Sequence, residues 1–381
     1  MIDWQGIWND EDSIRRFSPA RALLYLSSMV YRLIVALRNR FYDRQILKSG
    51  RLSCPVISVG NITVGGTGKT PCVIGLARML QQSGFKCSVI SRGYGGKNPQ
   101  PVNIVSDGNS VLLGAESAGD EPLLIARSLP GIPVITGAKR ILTGQAAIDR
   151  FGSNVLICDD AFQHRQIVRD IDIVLLDAAK PLGNGYLLPR GPLREPKENL
   201  QRADCIILTR AEGTEPLHPD VAGIVSRAGI PVFRSDHQFR ELIIPRKDHL
   251  AAQNILQGKK VCAFCGIAQP ASFKKLLIEA GSEVMSFMEF PDHYTYDRND
   301  LEDLKKYFLK YNADYWITTE KDAMRLEAYP EFLKTLCILR MEMKIKPSDP
   351  SFESFILKRL NDVTGQYWVV NGANHDSGSI F

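Results

Sequence analysis

The run Thr63, Val64, Gly65, Gly66, Thr67, Gly68, Lys69, Thr70 reads T-V-G-G-T-G-K-T and has the chemistry of a phosphate cradle. Its glycines let the backbone turn tightly and bring amide N–H groups up to an anion. A helix opening there adds unpaired donors and the positive end of its dipole. Lys69 is placed to reach the outer phosphates of a nucleoside triphosphate, and the Thr70 hydroxyl suits Mg²⁺. The usual first glycine of such a loop is replaced by Thr63, with Gly60 lying earlier. Asp159 and Asp160 end the apolar run N-V-L-I-C, where carboxylates can hold Mg²⁺ opposite the glycine loop. Asp120, next to Glu121 in G-D-E-P, is either a helix cap or a proton-accepting base. His164 follows the aspartate pair and suits a carboxylate or a phosphate, as does Arg92 in S-R-G-Y-G-G. Asp292 and His293, in E-F-P-D-H-Y-T-Y, either face a cleft or form a surface turn.

These residues need strands and helices to place them. Val56–Val59 reads as a buried strand before the glycine loop, and Cys72–Gln82 as the helix after it. Further strands are expected at Cys87–Ile90, Pro133–Thr136, Asn154–Cys158, Ile171–Asp177, Cys205–Thr209 and Pro231–Arg234, with Arg140 opening a helix. Gly-rich and acidic residues at strand exits line the binding crevice of an open α/β sheet. The Gly-, Pro- and Leu-rich run Pro181–Pro196 reads as a structured loop that lines an amphiphilic substrate or covers the sheet. An α/β pattern restarts at Lys260–Cys265, then a helix at Pro270–Ala280, a helix at Asp300–Leu309 and a strand at Tyr315–Thr319 running into Glu320, Lys321 and Asp322.

At 381 residues the chain can bury two cores, and its alternating strands and helices put it in the α/β class. A formal charge of +5 is too mild to imply nucleic acid, and none is expected as a partner. The eight cysteines lie mostly within apolar runs and read as buried, reduced residues of a cytoplasmic protein; Cys262 and Cys265 read as strand residues, not zinc ligands. Residues 20–37 are strongly apolar but broken by Arg21 and Arg32. At helical spacing Leu23, Leu26, Val30, Leu33, Leu37 and Phe41 share one face, while Arg21, Ser28, Arg32 and Asn39 fall on another. From Arg15 to Arg51 there are nine basic residues and one acidic residue, Asp43. That is the pattern of a basic amphipathic helix lying on an anionic membrane surface, the alternative being a helix packed on the core.

The expected organisation is an N-terminal membrane-surface helix region at 1–50, a phosphate-loop domain at 51–241, a link at 242–259, a smaller α/β domain at 260–360 and a tail at 361–381. Two other readings of the same motifs are a phosphate-loop enzyme with a soluble substrate and a nucleotide-switched membrane adaptor.

Taken in order, the motifs resemble the tetraacyldisaccharide 4'-kinase (lipid A 4'-kinase) family. They are S-V-G-N-I-T-V-G-G-T-G-K-T ending at Thr70, S-R-G-Y at 91–94, G-D-E-P at 119–122, D-D-A-F-Q-H-R at 159–165, L-P-R-G-P-L-R-E at 188–195, F-P-D-H at 290–293 and T-E-K-D at 319–322. Ala161 and Arg190 stand where the family pattern has Gly and Ala. The resemblance implies a phosphate-loop NTPase-like parallel-sheet domain and a smaller α/β domain closing a cleft. It implies ATP and Mg²⁺ as cofactors, and transfer of the γ-phosphate to the 4'-hydroxyl of an acylated glucosamine disaccharide 1-phosphate. The product is lipid IVA, made by a peripheral or monotopic enzyme at the cytoplasmic face of the bacterial inner membrane, with no obligate protein partner. Residue by residue it implies Asp120 as base with His293 beside it. It also implies Thr70, Asp159 and Asp160 near the metal, and Lys69, Arg140 and His164 in the active site.

Overall fold

The computed structural model describes residues 19–97, 100–211, 213, 215–244 and 253–373. The start of the expected N-terminal region, residues 245–252 of the expected link and the end of the expected tail lie outside the described residues.

The chain opens with helix α1 (Pro19–Asp43), followed by β1 (Val56–Gly60), α2 (Lys69–Gln82), β2 (Cys87–Ser91), β3 (Asn103–Ser106), α3 (Ala115–Ala118), α4 (Asp120–Ser128), β4 (Val134–Thr136), α5 (Arg140–Phe151), β5 (Val155–Asp159), β6 (Ile171–Asp177), β7 (Cys205–Thr209), α6 (Pro219–Ala228) and β8 (Val232–Ile243). It continues with β9 (Lys260–Cys265), α7 (Pro270–Glu279), β10 (Glu283–Glu289), α8 (Arg298–Leu309), β11 (Tyr315–Thr319), α9 (Glu320–Arg325), α10 (Pro330–Leu333), β12 (Cys337–Ile345) and α11 (Phe352–Ala373). These strands form one 12-stranded sheet in the order β10-β9-β11-β12-β8-β7-β6-β1-β5-β2-β4-β3. All neighbours are parallel except β12 with β8 and β3 with β4. Strands β1, β2, β5 and β7 are buried at every position, which is why they read as unbroken apolar runs.

Strand β8 joins the two halves of the sheet. Val232–Arg234 pair with β7, and Ser235–Ile243 then pair antiparallel with β12. The strand expected to stop at Arg234 therefore runs on through the boundary expected at residue 241. Strand β12 and helix α6 were not expected; β12 is only partly buried and alternates weakly, so its period is faint. The segment expected as a tail from residue 361 is helical as far as Ala373. Phe352, Ile356 and Leu360 of that helix bury against the core of the first half, with Phe233 edge-on to Phe352. All eight cysteines are free and buried, including Cys262 and Cys265 within β9.

Helix α1 docks by its polar side. Ser28, Val35 and Asn39 are buried, whereas Leu23 is 65% and Leu26 62% exposed, with Val30, Leu33 and Ile34 beside them. The anchor is Glu195, which has no exposed surface. It accepts from Arg38 Nη2 at 3.0 Å, Asn39 Nδ2 at 3.3 Å, Asn199 Nδ2 at 2.7 Å and Arg202 Nη2 at 2.7 Å. Tyr31 Oη donates to the neighbouring Arg194 carbonyl at 2.9 Å. Leu182, Leu187 and Leu193 of the 181–196 loop are buried, so that loop covers the sheet, while Tyr186 packs edge-on against Tyr25 of α1.

Removing a buried carboxylate that serves four donors strips each of this partner, and among the described residues only Arg38 keeps another, Asn39 Oδ1 at 3.2 Å. Glu195→Ala is expected to destabilise the protein by about 3–5 kcal/mol. Tryptic cleavage at Arg32, Arg38 and Arg40 should accelerate accordingly. An unchanged denaturant midpoint and unchanged cleavage would show that α1 is held by other contacts.

Candidate active site

A cleft of about 1460 Å³ lies between the two halves, and the expected site residues Lys69, Thr70, Arg140, Asp159, Asp160, His164 and His293 all line it. The glycine loop forms its floor. Helix α2 begins at Lys69, and its cap Gly68 has φ of 84°, the left-handed region that glycine adopts without strain. Pro71 sits in the first turn, where a missing N–H breaks no bond. The loop is tied down from both sides. Asn61 Nδ2 donates to Thr67 Oγ1 at 3.0 Å, and Arg210, ion-paired with Asp177, donates to the Gly66 carbonyl at 3.1 Å. Val64 N donates to the Pro192 carbonyl at 2.8 Å, and Arg194 N donates to the Ile62 carbonyl at 2.7 Å, so the 181–196 loop is laced to the start of the cradle.

The second half forms a roof. A Cβ on Gly66 would stand 2.8 Å from Ala268 Cβ, and one on Gly68 would stand 2.8 Å from Met343 Cε and 3.1 Å from His237 Nε2. These residues come from the β9–α7 turn and the β8–β12 ribbon. His237 is buried; burial, then Arg210, lowers its pKa to about 4, which keeps it neutral beside the cradle.

Behind Lys69 stands the carboxylate pair at the exit of β5. Asp159 is buried and accepts from Ser91 Oγ at 3.2 Å through Oδ2, while its Oδ1 has no partner. Burial, then Glu121 and Asp160, raises its pKa. Asp160 lies 3.9 Å from Lys69 Nζ and accepts from Arg194 Nη1 at 2.9 Å through both oxygens. Burial would raise Asp160, but Lys69 and Arg194 outweigh it and hold the group below the usual carboxylate range. The left-handed residue in this turn is Asp160 with φ of 47°, so Ala161 is accommodated where glycine was expected. Arg140 is 2% exposed and donates to the Gly137 carbonyl at 2.9 Å, leaving Nε unpartnered behind the pair. His164 is lowered to about 4 by burial and then by Arg140, Arg169 and Arg92, so it is a neutral imidazole.

The orphaned oxygen of Asp159 fits a divalent cation. Mg²⁺ typically takes one or two carboxylates with phosphate oxygens and water rather than an all-protein cage. In keeping with that, no group of three or more His, Cys, Asp or Glu side chains among the described residues could hold a metal alone. Thr70, Asp159 and Asp160 are the residues that would hold it.

Asp120 opens α4 and pairs directly with α9; its neighbours Glu121 and His293 line the cleft, whereas the expected site residues Asp120 and Thr63 stand behind the lining. Asp120 Oδ2 accepts from Arg325 Nη2 at 2.6 Å and Nε at 2.8 Å, and His293 Nδ1 lies 3.2 Å away. Burial alone would raise its pKa, but the hydrogen bond with His293 and the charges of Arg325 and Lys321 hold it well below the usual carboxylate range. His293 stands in the turn after β10, beside Asp292, with φ of 60° and its ring edge-on to Tyr94. Lys321 Nζ bridges Glu121 at 3.0 Å and Asp292 at 3.5 Å. The sequence reading missed Arg325. Its signal was the spacing of four from Lys321, which puts both cations on one face of a helix.

The chain matches the family model described as Tetraacyldisaccharide-1-P 4'-kinase over residues 20–361. It is 47% identical over 366 residues to the tetraacyldisaccharide 4'-kinase of Syntrophus aciditrophicus, covering 93% of this chain and 97% of that one. It is 39% identical over 341 residues to the enzyme of the same name from Pelobacter propionicus, covering 88% and 92%. The structure superposes on LpxK from Aquifex aeolicus in complex with ATP with a TM-score of 0.72 at 33% identity, covering 90% of this chain and 99% of that chain.

The buried histidine sets a pH dependence. An unfolded histidine binds its proton near pH 6.5, whereas folded His237 does so only near 4. Protons therefore favour unfolding in that window, and the stability is complete above about pH 6.5 and falls as pH drops towards 4. His237→Gln is expected to flatten the fall in Tm between those values. A slope equal to that of the unaltered protein would show that His237 is protonated in the fold.

Proposed function

The chain belongs to the tetraacyldisaccharide-1-P 4'-kinase family, and on that premise we propose how its own residues carry the reaction. It is an ATP-dependent kinase that transfers the γ-phosphate of ATP to the 4'-hydroxyl of tetraacyldisaccharide 1-phosphate, giving lipid IVA in lipid A biosynthesis. The observation that carries the residue assignment is the meeting of Asp120 with His293 at 3.2 Å, His293 itself lining the cleft floored by the glycine loop.

The cradle amides of Gly65 to Thr70 and the ammonium of Lys69 hold the triphosphate and offset charge on the transferring group. Bound at Thr70, Asp159 and Asp160, Mg²⁺ would neutralise phosphate charge. Arg194 and Lys69 keep Asp160 ionised for that role, while Asp159 is kept dry with one oxygen open. Arg140 and neutral His164 complete the polar wall behind the pair. As the acceptor oxygen bonds to phosphorus, its proton passes to the Asp120 carboxylate and ADP leaves with the electron pair of the broken bond. His293 orients Asp120 and closes the site against water. An adaptor that only switched with nucleotide would need no carboxylate–imidazole pair there.

We assign the outward apolar face of α1 to the membrane surface. No helix among the described residues is long and apolar enough to cross a membrane. A helix that docks through Ser28, Asn39 and Arg38 and turns Leu23, Leu26, Val30 and Leu33 outward is built to lie in the interface, with its basic residues toward anionic headgroups. It would keep the enzyme, peripheral or monotopic, on the bilayer that holds its acylated acceptor.

Two measurements test these assignments. Asp120→Asn is expected to bind ATP within about twofold of the parent while phosphate transfer to tetraacyldisaccharide 1-phosphate falls roughly 10²–10⁴-fold. Undiminished turnover removes Asp120 as the base, and no product from the parent protein with authentic acceptor removes the kinase assignment itself. Leu26→Asp with Leu33→Asp should release the protein from vesicles of anionic phospholipid without lowering its Tm. Unchanged co-sedimentation would place the membrane contact elsewhere.

A further inference from the structure

Arg325 links three sets of groups. At its rear, Nη1 donates to the Gly266 carbonyl at 2.6 Å and to Asp322 Oδ1 at 3.2 Å. Asp322 is itself fully buried and held by Gly266 N at 3.0 Å, Tyr296 Oη at 2.8 Å and Thr319 Oγ1 at 2.6 Å. At its front, Nε and Nη2 grip Asp120 Oδ2, and Nη2 lies 3.4 Å from His293 Nδ1. The rear partners all belong to the second half of the sheet, and Asp120 belongs to the first. The two helices that carry Arg325 and Asp120 pack directly, with Leu123 of α4 against Ala323 and Met324 of α9, and Arg127 paired with Glu327 just beyond.

We propose that Arg325 is a positioning residue for phosphate transfer: the second half of the sheet carries it to Asp120, so that closing the cleft and orienting the catalytic carboxylate are one event. The inference rests on the reading of Asp120 as the base. The planar fork of Arg325 fixes one oxygen of the carboxylate, leaving Oδ1, which otherwise accepts only the Glu121 amide at 3.0 Å, turned to the acceptor hydroxyl. Because all three come from the second half, parting the two halves would take Arg325, Lys321 and His293 from Asp120 together. The charged and titratable groups facing it when shut are Lys321 and Arg325 from α9, and Asp292 and His293 from the turn after β10. The cations dominate, and the buried carboxylate stays ionised.

The test is the pH profile of kcat for the full chain, with ATP and tetraacyldisaccharide 1-phosphate in mixed micelles, for the parent, Arg325→Gln, Arg325→Lys and Asp120→Asn. Arg325→Gln should move the acid limb up by about one pH unit and, because the carboxylate is no longer held in place, lower the pH-independent kcat roughly tenfold, with the KM for ATP unchanged within about twofold. Arg325→Lys keeps the charge and should return the limb to its parental position, yet its single ammonium cannot bridge Asp322 and Asp120, so kcat stays roughly tenfold down. A glutamine variant with the parental limb, or a lysine variant with parental kcat, overturns the proposal. The lysine variant decides the matter if the glutamine variant does not fold. Asp120→Asn separates the two layers of argument. Full activity in that variant defeats the base assignment, while an inactive Asp120→Asn beside an unaltered Arg325→Gln defeats only the role of Arg325.

Discussion

The constraint on which this protein is built is the direction of two strands. Strand β8 runs parallel to the first half of the sheet apart from the edge strand β3, and β12 runs antiparallel to β8 and parallel to the rest of the second half. The carboxyl ends of the two sets of strands therefore point at each other. In a single parallel sheet, ligands bind outside one carboxyl edge. Here two such edges confront one another. The exits of β1, β2 and β5 supply the glycine loop, Ser91 and Asp159, and the exits of β9, β10 and β11 supply Ala268, His293 and Lys321. Were β12 parallel to β8, the same residues would lie at one rim and no enclosed cleft would form.

Enclosure changes the electrostatics. Acidic and basic groups that would be worth little in water are here partly stripped of it, and each is matched. Asp160 meets Lys69 and Arg194; Asp120 meets Arg325 and His293; Glu121 and Asp292 share Lys321, whose pKa is raised by these carboxylates against the pull of burial. Asp159 differs from those carboxylates, with one oxygen left open. That open oxygen is the one we propose for a cation.

Much of this was legible in the sequence. The buried strands of the first half announced themselves as apolar runs, and of the residues singled out at strand exits Arg92, Asp159, Asp160, Glu320 and Lys321 line the cleft, whereas Asp322 is fully buried behind Arg325. What was not legible has a common cause. The extension of β8 and the existence of β12 depend on pairing between distant segments with weak alternation, and neither strand has a pattern of its own that demands it. Arg325 was hidden because its role comes from a carboxylate more than two hundred residues away. The docking side of α1 was ambiguous for a similar reason. An amphipathic pattern says that two faces differ, not which one meets the protein, and the Glu195 anchor, with the Tyr31 bond to the Arg194 carbonyl, makes the polar face the inner one.

The roof over the glycine loop has a steric corollary. A Cβ at Gly66 would stand 2.8 Å from Ala268 Cβ, and one at Gly68 2.8 Å from Met343 Cε. Gly68 is therefore required twice, by its left-handed backbone and by its neighbour, whereas Gly66 is required by its neighbour alone. An alanine at Gly66 would act as a wedge between the two halves while leaving the loop its backbone path.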